Sequence, residues 1–308
     1  MKLHLQATAI LVSLALATLT GCAQVAPKAK PEATYVPHAG QIRVVTSVAV
    51  WADIAQTIGG NAVEATAIVA RPNQDPHSYE ASVRDQLAVN QADLTIANGA
   101  EYDAFFAKLV AAKPNPHIGM QLSLADYVDQ KTPNPNPHLW YDLAWVKHLA
   151  FVIGTAEALA APTQQVAQGI TARLQAFQAA TDALITTQRK SVKTTVGRGA
   201  LLTEGFALRM IRNLAMVDQT PISFLHAVEN DQDASAAAMQ TMRALMAHGR
   251  VAALILNVQT QGRQTGQLAQ WAEQYRVPVL KLSELLPAHT HYLQWMTNNL
   301  TQITEAVF

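Results

Sequence analysis

A long helical pattern between two stretches of alternating strands and helices constrains the fold of this chain most. Apolar residues recur at helical spacing from Thr163 to about Lys190, directly after Pro162. A helix of about 28 residues would be about 42 Å long at 1.5 Å per residue, which is more than one layer of an α/β sheet requires. We therefore predict a helix that connects two lobes.

Strand and helix patterns alternate on both sides of this helix, which is typical of parallel sheets covered by helices on both faces. We predict an α/β protein with two Rossmann-like lobes, with little regular structure between Lys113 and Pro137 and a polar segment from His226 to Asp233. The predicted strands cover residues 42–48, 63–70, 93–97, 200–203, 251–257 and 277–282.

The amino terminus has the features of a bacterial lipoprotein signal. Lys2 precedes an apolar run at residues 7–19, which is too short to remain as a membrane-spanning helix. The run ends in Leu-Thr-Gly-Cys, which resembles a lipobox, and Cys22 is the only cysteine in the chain. We predict that Cys22 is lipidated, although an ordinary signal peptide with an incidental cysteine remains the alternative.

The chain therefore divides into five predicted segments. They are a signal peptide (1–21), a lipidated cysteine with a flexible tether (22–41), an N-terminal α/β lobe (42–161), a linker helix (162–191) and a C-terminal α/β lobe (192–308). Lysine plus arginine equals aspartate plus glutamate, 22 of each. Because no stretch concentrates basic residues, the composition gives no support to nucleic-acid binding.

Two similar motifs each place a histidine directly after a proline. Residues 74–80 read Gln-Asp-Pro-His-Ser-Tyr-Glu and residues 136–142 read Asn-Pro-His-Leu-Trp-Tyr-Asp. Proline stiffens the backbone before each histidine, and an aromatic residue and an acid follow it. The pair predicts that His77 and His138 belong to one site, with Tyr79 and Asp142 either orienting the imidazoles or serving as packing and capping residues.

Two carboxylates in the second half follow predicted strands, as His77 does in the first half. If the two lobes face each other, Glu204 and Glu284 would converge with the two histidines, although Glu204 could equally be an acid near a helix amino terminus. Imidazole nitrogens and carboxylate oxygens suit Zn²⁺, Mn²⁺ or Fe²⁺. Four protein ligands leave no position for an activated water, which favours a protein that carries metal over a hydrolase.

The chain resembles the zinc and manganese substrate-binding lipoproteins of bacterial ABC importers (cluster A-I type). The resemblance extends from about Ile42 to the end and includes the lipoprotein signal, both Pro-His motifs, Thr-Glu-Gly-Phe at 203–206 and Ser-Glu-Leu-Leu at 283–286. It implies two α/β lobes joined by one long helix, with a single metal between them. It also implies an extracytoplasmic, lipid-anchored protein that is not an enzyme, a membrane permease as its partner, and a monomer.

The same resemblance implies a ligand set. His77 and His138 match the first two ligands, Glu204 lies where some members have histidine and others glutamate, and Glu284 lies where aspartate is usual. The cargo would be one divalent ion, Zn²⁺ or Mn²⁺. The histidine-rich loop of some zinc-specific members is missing, and Ala81 and Leu143 replace prolines that are common in the family. Since a ligating imidazole must be neutral, we expect metal affinity to fall as the pH drops through about 6.5.

Other interpretations remain open. A secreted metalloenzyme could use the same His and Glu residues, although the chain has no His-Glu-x-x-His motif. A surface adhesin could coexist with metal binding. His117 lacks the aromatic and acidic residues that follow His138, and we expect it to be a loop residue. His289 and His291 could bind a metal, but we expect them to be exposed loop residues.

Overall fold

The computed structural model describes residues 40–113, 119–129, 136–230 and 232–307. The strands are β1 (Ile42–Val48), β2 (Val63–Val69), β3 (Leu94–Ala97), β4 (Met120–Ser123), β5 (Gly199–Leu202), β6 (Val217–Asp218), β7 (Ala253–Asn257) and β8 (Val279–Leu282). The helices are α1 (Ala49–Gly59), α2 (Val83–Gln91), α3 (Ala104–Ala111), α4 (Leu143–Ala160), α5 (Gln164–Thr195), α6 (Leu208–Asn213), α7 (Ile222–Glu229), α8 (Ala236–Ala247), α9 (Arg263–Gln274) and α10 (Tyr292–Ala306). Short 3₁₀ helices cover Gly60–Ala62, Leu124–Tyr127, Leu139–Tyr141 and Gly205–Ala207.

The strands form two four-stranded parallel sheets. The first has the order β2-β1-β3-β4 and the second has the order β6-β5-β7-β8. In the first sheet Val44 pairs with both Ala65 and Leu94, so β1 lies in the middle of the sheet and is apolar on both faces. Two parallel sheets with covering helices confirm the predicted α/β class. In each sheet the carboxyl ends of all strands lie at one edge, where ligands of such folds bind.

The long helix α5 has 32 residues and begins at Gln164. Its first turn is capped by Thr163, whose hydroxyl accepts a hydrogen bond from the amide of Val166 at 3.2 Å. Apolar side chains at helical spacing, including Ile170 and Phe177, form its buried stripe and pack against α4, α1 and α10. The helix ends at Thr195, a few residues beyond the predicted end of the linker.

One apolar core contains residues from both sheets, from Ile42 in β1 to Val307 after α10. A second cluster lies on the other side of the second sheet and joins it to α8 and α9. Within the described residues, α4 is long and apolar enough to cross a membrane by length and composition alone. Half of this apolar stretch is buried inside the protein, as in the core helix of a folded domain.

The structure corrects two expectations about local structure. The segment from Lys113 to Pro137 contains strand β4, because pairing with β3 satisfies a short run with little β pattern of its own. The first four residues of the predicted polar segment, His226 to Glu229, belong to helix α7, which is held by the buried side chains of Phe224 and Leu225.

Several predicted features lie outside the described residues. They are the signal peptide, the lipidated Cys22, all but the end of the tether, and His117.

Candidate metal site

Three of the four predicted ligands lie together between the two sheets. His138, Glu204 and Glu284 each offer a ligand atom, and these atoms lie within 4.8 Å of one another. The fold brings them together because Glu204 follows β5 and Glu284 follows β8, at the same edge of the second sheet. All three are largely buried, with exposed fractions of 5%, 9% and 6%. A histidine and two carboxylates in such an enclosed position have the donor set of a transition-metal site.

Asn136 orients His138. Its Oδ1 accepts a hydrogen bond from the backbone amide of His138 at 3.0 Å and lies 3.1 Å from Nδ1 of the ring. Its Nδ2 donates to the carbonyl of Gly205 at 2.8 Å, next to Glu204. With Nδ1–H donating to Asn136, Nε2 is the nitrogen that faces the carboxylates. Nε2 lies 3.1 Å from Oε1 of Glu284.

Glu204 is held through one of its two oxygens. Oε2 accepts hydrogen bonds from Nδ2 of Asn257 at 2.7 Å and from the hydroxyl of Thr260 at 2.8 Å. The side chain makes no capping hydrogen bond to the 3₁₀ helix that begins at Gly205, so the described contacts do not support the alternative role at a helix terminus. The carboxylate points instead toward Glu284.

Glu284 is held along its whole length. Its Oε1 accepts a hydrogen bond from the hydroxyl of Tyr102 at 2.6 Å, and its carbonyl accepts one from the indole of Trp140 at 2.9 Å. Its amide donates to Oε1 of Gln259 at 2.7 Å. Nε2 of Gln259 donates to the carbonyl of Pro72, so this one side chain joins the segment that carries His77 to the segment that carries Glu284.

The two carboxylates have opposite pKa shifts. Burial, and then the charge of Glu284, raise the pKa of Glu204 to about 7. Burial alone would also raise the pKa of Glu284, but the hydrogen bond and charge of His138, together with the hydrogen bond from Tyr102, lower it to about 2. Near neutral pH Glu284 is therefore ionised while Glu204 is only partly ionised, so the pair holds between one and two negative charges. A divalent cation between them would favour the ionised form of both.

His77 lies beside this cluster. It is not among the three residues whose ligand atoms lie within 4.8 Å of one another, and its side chain is exposed in the loop after β2. Its ring stands edge-on to Tyr102, with 4.8 Å between ring centroids, and Tyr102 in turn contacts His138 at 5.5 Å. The amide of His77 donates to Asp75 at 2.9 Å, which fixes the turn. The ring of Tyr102 thus contacts both His77 and the buried His138.

Residues 44–306 match the family described as zinc-uptake complex component A, periplasmic. The chain belongs to this family. Over 114 residues it is 31% identical to the manganese ABC transporter substrate-binding lipoprotein PsaA of Streptococcus pneumoniae, a match that covers 33% of this chain and only 36% of that protein. Over 223 residues it is 24% identical to the zinc-binding protein TroA of Treponema pallidum, a match that covers 70% of each chain.

A solved structure of the periplasmic zinc-binding protein TroA from Treponema pallidum superimposes on this chain with a TM-score of 0.72. The match covers 87% of this chain and 99% of that one at 18% sequence identity, and it therefore shows a common fold. The family resemblance leads one to expect aspartate at the last ligand position. Here the longer Glu284 also reaches the cluster, with its carboxylate anchored by Tyr102.

Sequence reasoning assigned no role to four side chains that shape this candidate site: Tyr102, Asn136, Asn257 and Thr260. A signal for Asn257 was present, because it ends strand β7 at the same edge as Glu204 and Glu284. Tyr102 had none, since its position depends on a turn in which Ala100 and Glu101 have φ values of 53° and 63°.

The remaining candidates have local partners. Asp142 caps α4 by accepting hydrogen bonds from two amides of its first turn, and Tyr79 donates to Asp85 at 3.0 Å. These contacts favour the packing and capping alternative for both residues. His291 lies 2.7 Å from Asp53 through Nδ1 and its side chain is exposed.

Proposed function

We propose that this protein captures one divalent transition-metal ion, Zn²⁺ or Mn²⁺, and delivers it to the permease of an ABC importer. The observation that carries the proposal is the buried convergence of one imidazole and two carboxylates from His138, Glu204 and Glu284. Such a set of nitrogen and oxygen ligands suits either metal. The names of relatives that bind zinc or manganese for ABC transporters add support.

The proposed ligand set has four members, with His77 as the fourth. A movement of its exposed loop would bring the imidazole to the buried cluster, past the edge of Tyr102. Four protein ligands fill the shell of a tetrahedral ion and leave no position for an activated water. The site therefore supports capture and release, and it gives no support to the metalloenzyme alternative, which requires an open position.

The proposed arrangement places the protein outside the cytoplasm. Residues 1–21 are removed as a signal peptide, Cys22 carries the lipid that holds the chain at the membrane surface, and residues 22–41 act as a tether. Residues 42–161 and 192–308 form two lobes on either side of the linker helix, and the protein acts as a monomer. The protein needs no nucleic-acid partner, and the permease of the same importer receives the metal.

Calorimetric titration of the metal-free full chain in detergent tests the proposal. We expect one Zn²⁺ or Mn²⁺ per chain, and we expect Glu204→Gln to weaken binding by at least about 100-fold, which corresponds to the loss of one charged ligand. Glu273→Gln is the matched control, because Glu273 is an exposed acid in α9. Equal affinity in the native protein and in Glu204→Gln would contradict the assignment, as would the absence of stoichiometric binding.

A further inference from the structure

We propose that Tyr102 sets the metal preference of this site toward Zn²⁺ by making Glu284 a ligand through one oxygen only. This inference rests on the proposed function and goes further, since it chooses between the two cargo ions. Tyr102 belongs to the segment between β3 and α3, and neither Pro-His motif contains it.

The hydroxyl of Tyr102 occupies one side of the Glu284 carboxylate. Tyr102 is 1% exposed, and its Oη donates to Oε1 of Glu284 at 2.6 Å, a short hydrogen bond to a charged acceptor. Its ring is fixed by edge contacts with His77, His138 and Trp140, at centroid distances of 4.8, 5.5 and 5.2 Å. The contacts with the buried His138 and Trp140 do not depend on the loop that carries His77, so the hydroxyl remains on Oε1 when a cation arrives.

The other carboxylate is restrained in the same way. Both described hydrogen bonds to Glu204, from Asn257 and Thr260, reach Oε2. Asn257 also approaches Oε2 of Glu284, but at 3.4 Å, which is a much weaker contact than the 2.6 Å bond from Tyr102. Glu204 therefore has one oxygen engaged by neutral donors and one available to a metal. Oε1 of Glu284 faces both the hydroxyl of Tyr102 and Nε2 of His138, at 2.6 and 3.1 Å, so a metal bound to that nitrogen meets an oxygen that Tyr102 already engages.

Zn²⁺ and Mn²⁺ favour different numbers of ligand atoms, so the restraint on the two carboxylates favours one metal over the other. One oxygen from each carboxylate and one nitrogen from each of two histidines give four ligand atoms, the usual tetrahedral shell of Zn²⁺. Mn²⁺ favours about six ligands, mostly oxygen, and would need the second oxygen of at least one carboxylate. Because Tyr102 competes for that oxygen of Glu284, the site disfavours Mn²⁺ beyond the general order of metal affinities.

Tyr102→Phe tests this inference, because it removes the hydroxyl and keeps the ring contacts. Calorimetric titration of the full chain in detergent with Zn²⁺ and with Mn²⁺ separately should show the Zn²⁺ to Mn²⁺ affinity ratio falling about tenfold, through tighter Mn²⁺ binding. X-ray absorption of the manganese-loaded variant should show more oxygen neighbours than in the unsubstituted protein. The matched control is Tyr141→Phe, because the fully buried Tyr141 donates to the carbonyl of Ser283 and not to a carboxylate.

A second variant keeps the inference testable if Tyr102→Phe does not fold. Thr260→Val, at an exposed position, removes one of the two hydrogen bonds to Oε2 of Glu204 and should move the ratio in the same direction. An unchanged ratio in a folded Tyr102→Phe, or an equal loss of both metals, would overturn the inference while leaving the proposed function intact. Failure of the unsubstituted protein to bind either metal would instead reject the proposed function, and the inference with it.

Discussion

The two Pro-His motifs place their histidines in very different surroundings. His138 is buried and contacts Asn136 and Glu284, whereas His77 is exposed and contacts Tyr102 at its edge. If both bind the metal, His138→Ala and His77→Ala should each weaken binding by roughly 100-fold or more, since each loses one ligand. Titration with Zn²⁺ measures this loss. Native affinity in His77→Ala would mean that the protein supplies only three ligands.

The two histidines should also differ in how much each contributes to the stability of the metal-free protein. His138→Ala should lower the free energy of unfolding by about 1–3 kcal/mol, because it removes a buried ring together with its contacts to Asn136 and Glu284. His77→Ala should leave the stability unchanged. Urea unfolding of both metal-free variants gives the comparison. A marked loss of stability in His77→Ala would show that the loop packs more tightly than its exposure indicates.

Glu157 in α4 makes the stability of the folded protein depend on pH. Its side chain is fully buried, and neither carboxylate oxygen has a hydrogen-bond partner among the described residues. Burial raises its pKa well above the usual range, against the opposing charge of Arg173. Between the unfolded pKa, about 4.3, and the raised folded pKa, the unfolded state has lost the proton that the folded state keeps. Stability from this residue therefore falls as the pH rises.

Glu157→Gln removes this titration and should flatten the dependence. We expect the variant to gain stability relative to the native protein between pH 5 and pH 8, with a difference that shrinks below about pH 4.3. The denaturation midpoint in urea, measured across this range, gives the result. Glu273→Gln is the control, because Glu273 is an exposed acid in α9. Parallel pH profiles for the native protein and Glu157→Gln would contradict the assignment.

At the residue scale, the sequence predicts those site residues whose positions follow from the strand or motif that carries them. Glu204 and Glu284 could be found because they follow strands, and His138 could be found because its motif is distinctive. The groups that orient them could not be found in the same way. Tyr102 is adjacent to Glu284 only after the chain has folded, since 182 residues separate them. Pairs so distant in sequence leave no local pattern.

At the element scale, long and strongly patterned segments were predictable and short ones were not. Helix α5 differs from its predicted linker by a few residues at each end, whereas β4 and β6 were missed. Strand β6 has two residues and pairs with β5, so tertiary pairing alone defines it. Strand β4 begins after Gly119, whose φ of 82° turns the chain into register with β3.

Gly119→Ala should therefore disturb the edge of the first sheet. A Cβ there would lie 2.8 Å from the carbonyl oxygen of Ala92 and 2.9 Å from that of Asp93, in addition to the strain of the positive φ. We expect a loss of about 2–4 kcal/mol in the free energy of unfolding. Gly249→Ala should cost only about 1 kcal/mol, because Gly249 shares the positive φ but has nothing within 4 Å of its Cβ position. Urea unfolding of both variants measures the difference, and equal losses would show that crowding at β4 is unimportant.

At the scale of the whole molecule, the two sheets share both a core and a site. The larger apolar cluster includes Val44 of the first sheet and Leu202 of the second. The proposed ligands also come from both halves, with His138 before α5 and Glu204 and Glu284 after it. Independent unfolding of one half would expose this common core and separate the ligands. We therefore expect the metal-free protein to unfold in a single cooperative transition.

Bound metal should raise the temperature of that single unfolding transition. A ligand that binds only the folded state adds about 2.7 kcal/mol at a free concentration 100 times its Kd, which corresponds to a rise in Tm on the order of 5–10 °C for a chain of this size. Calorimetric scans with and without Zn²⁺ test this, and Glu204→Gln should show almost no rise because the site has lost a charged ligand. Two separate transitions, of which only one responds to metal, would contradict the shared core and would place all effective ligands in one half. A native-sized rise in Glu204→Gln would instead show that the stabilising ion binds elsewhere.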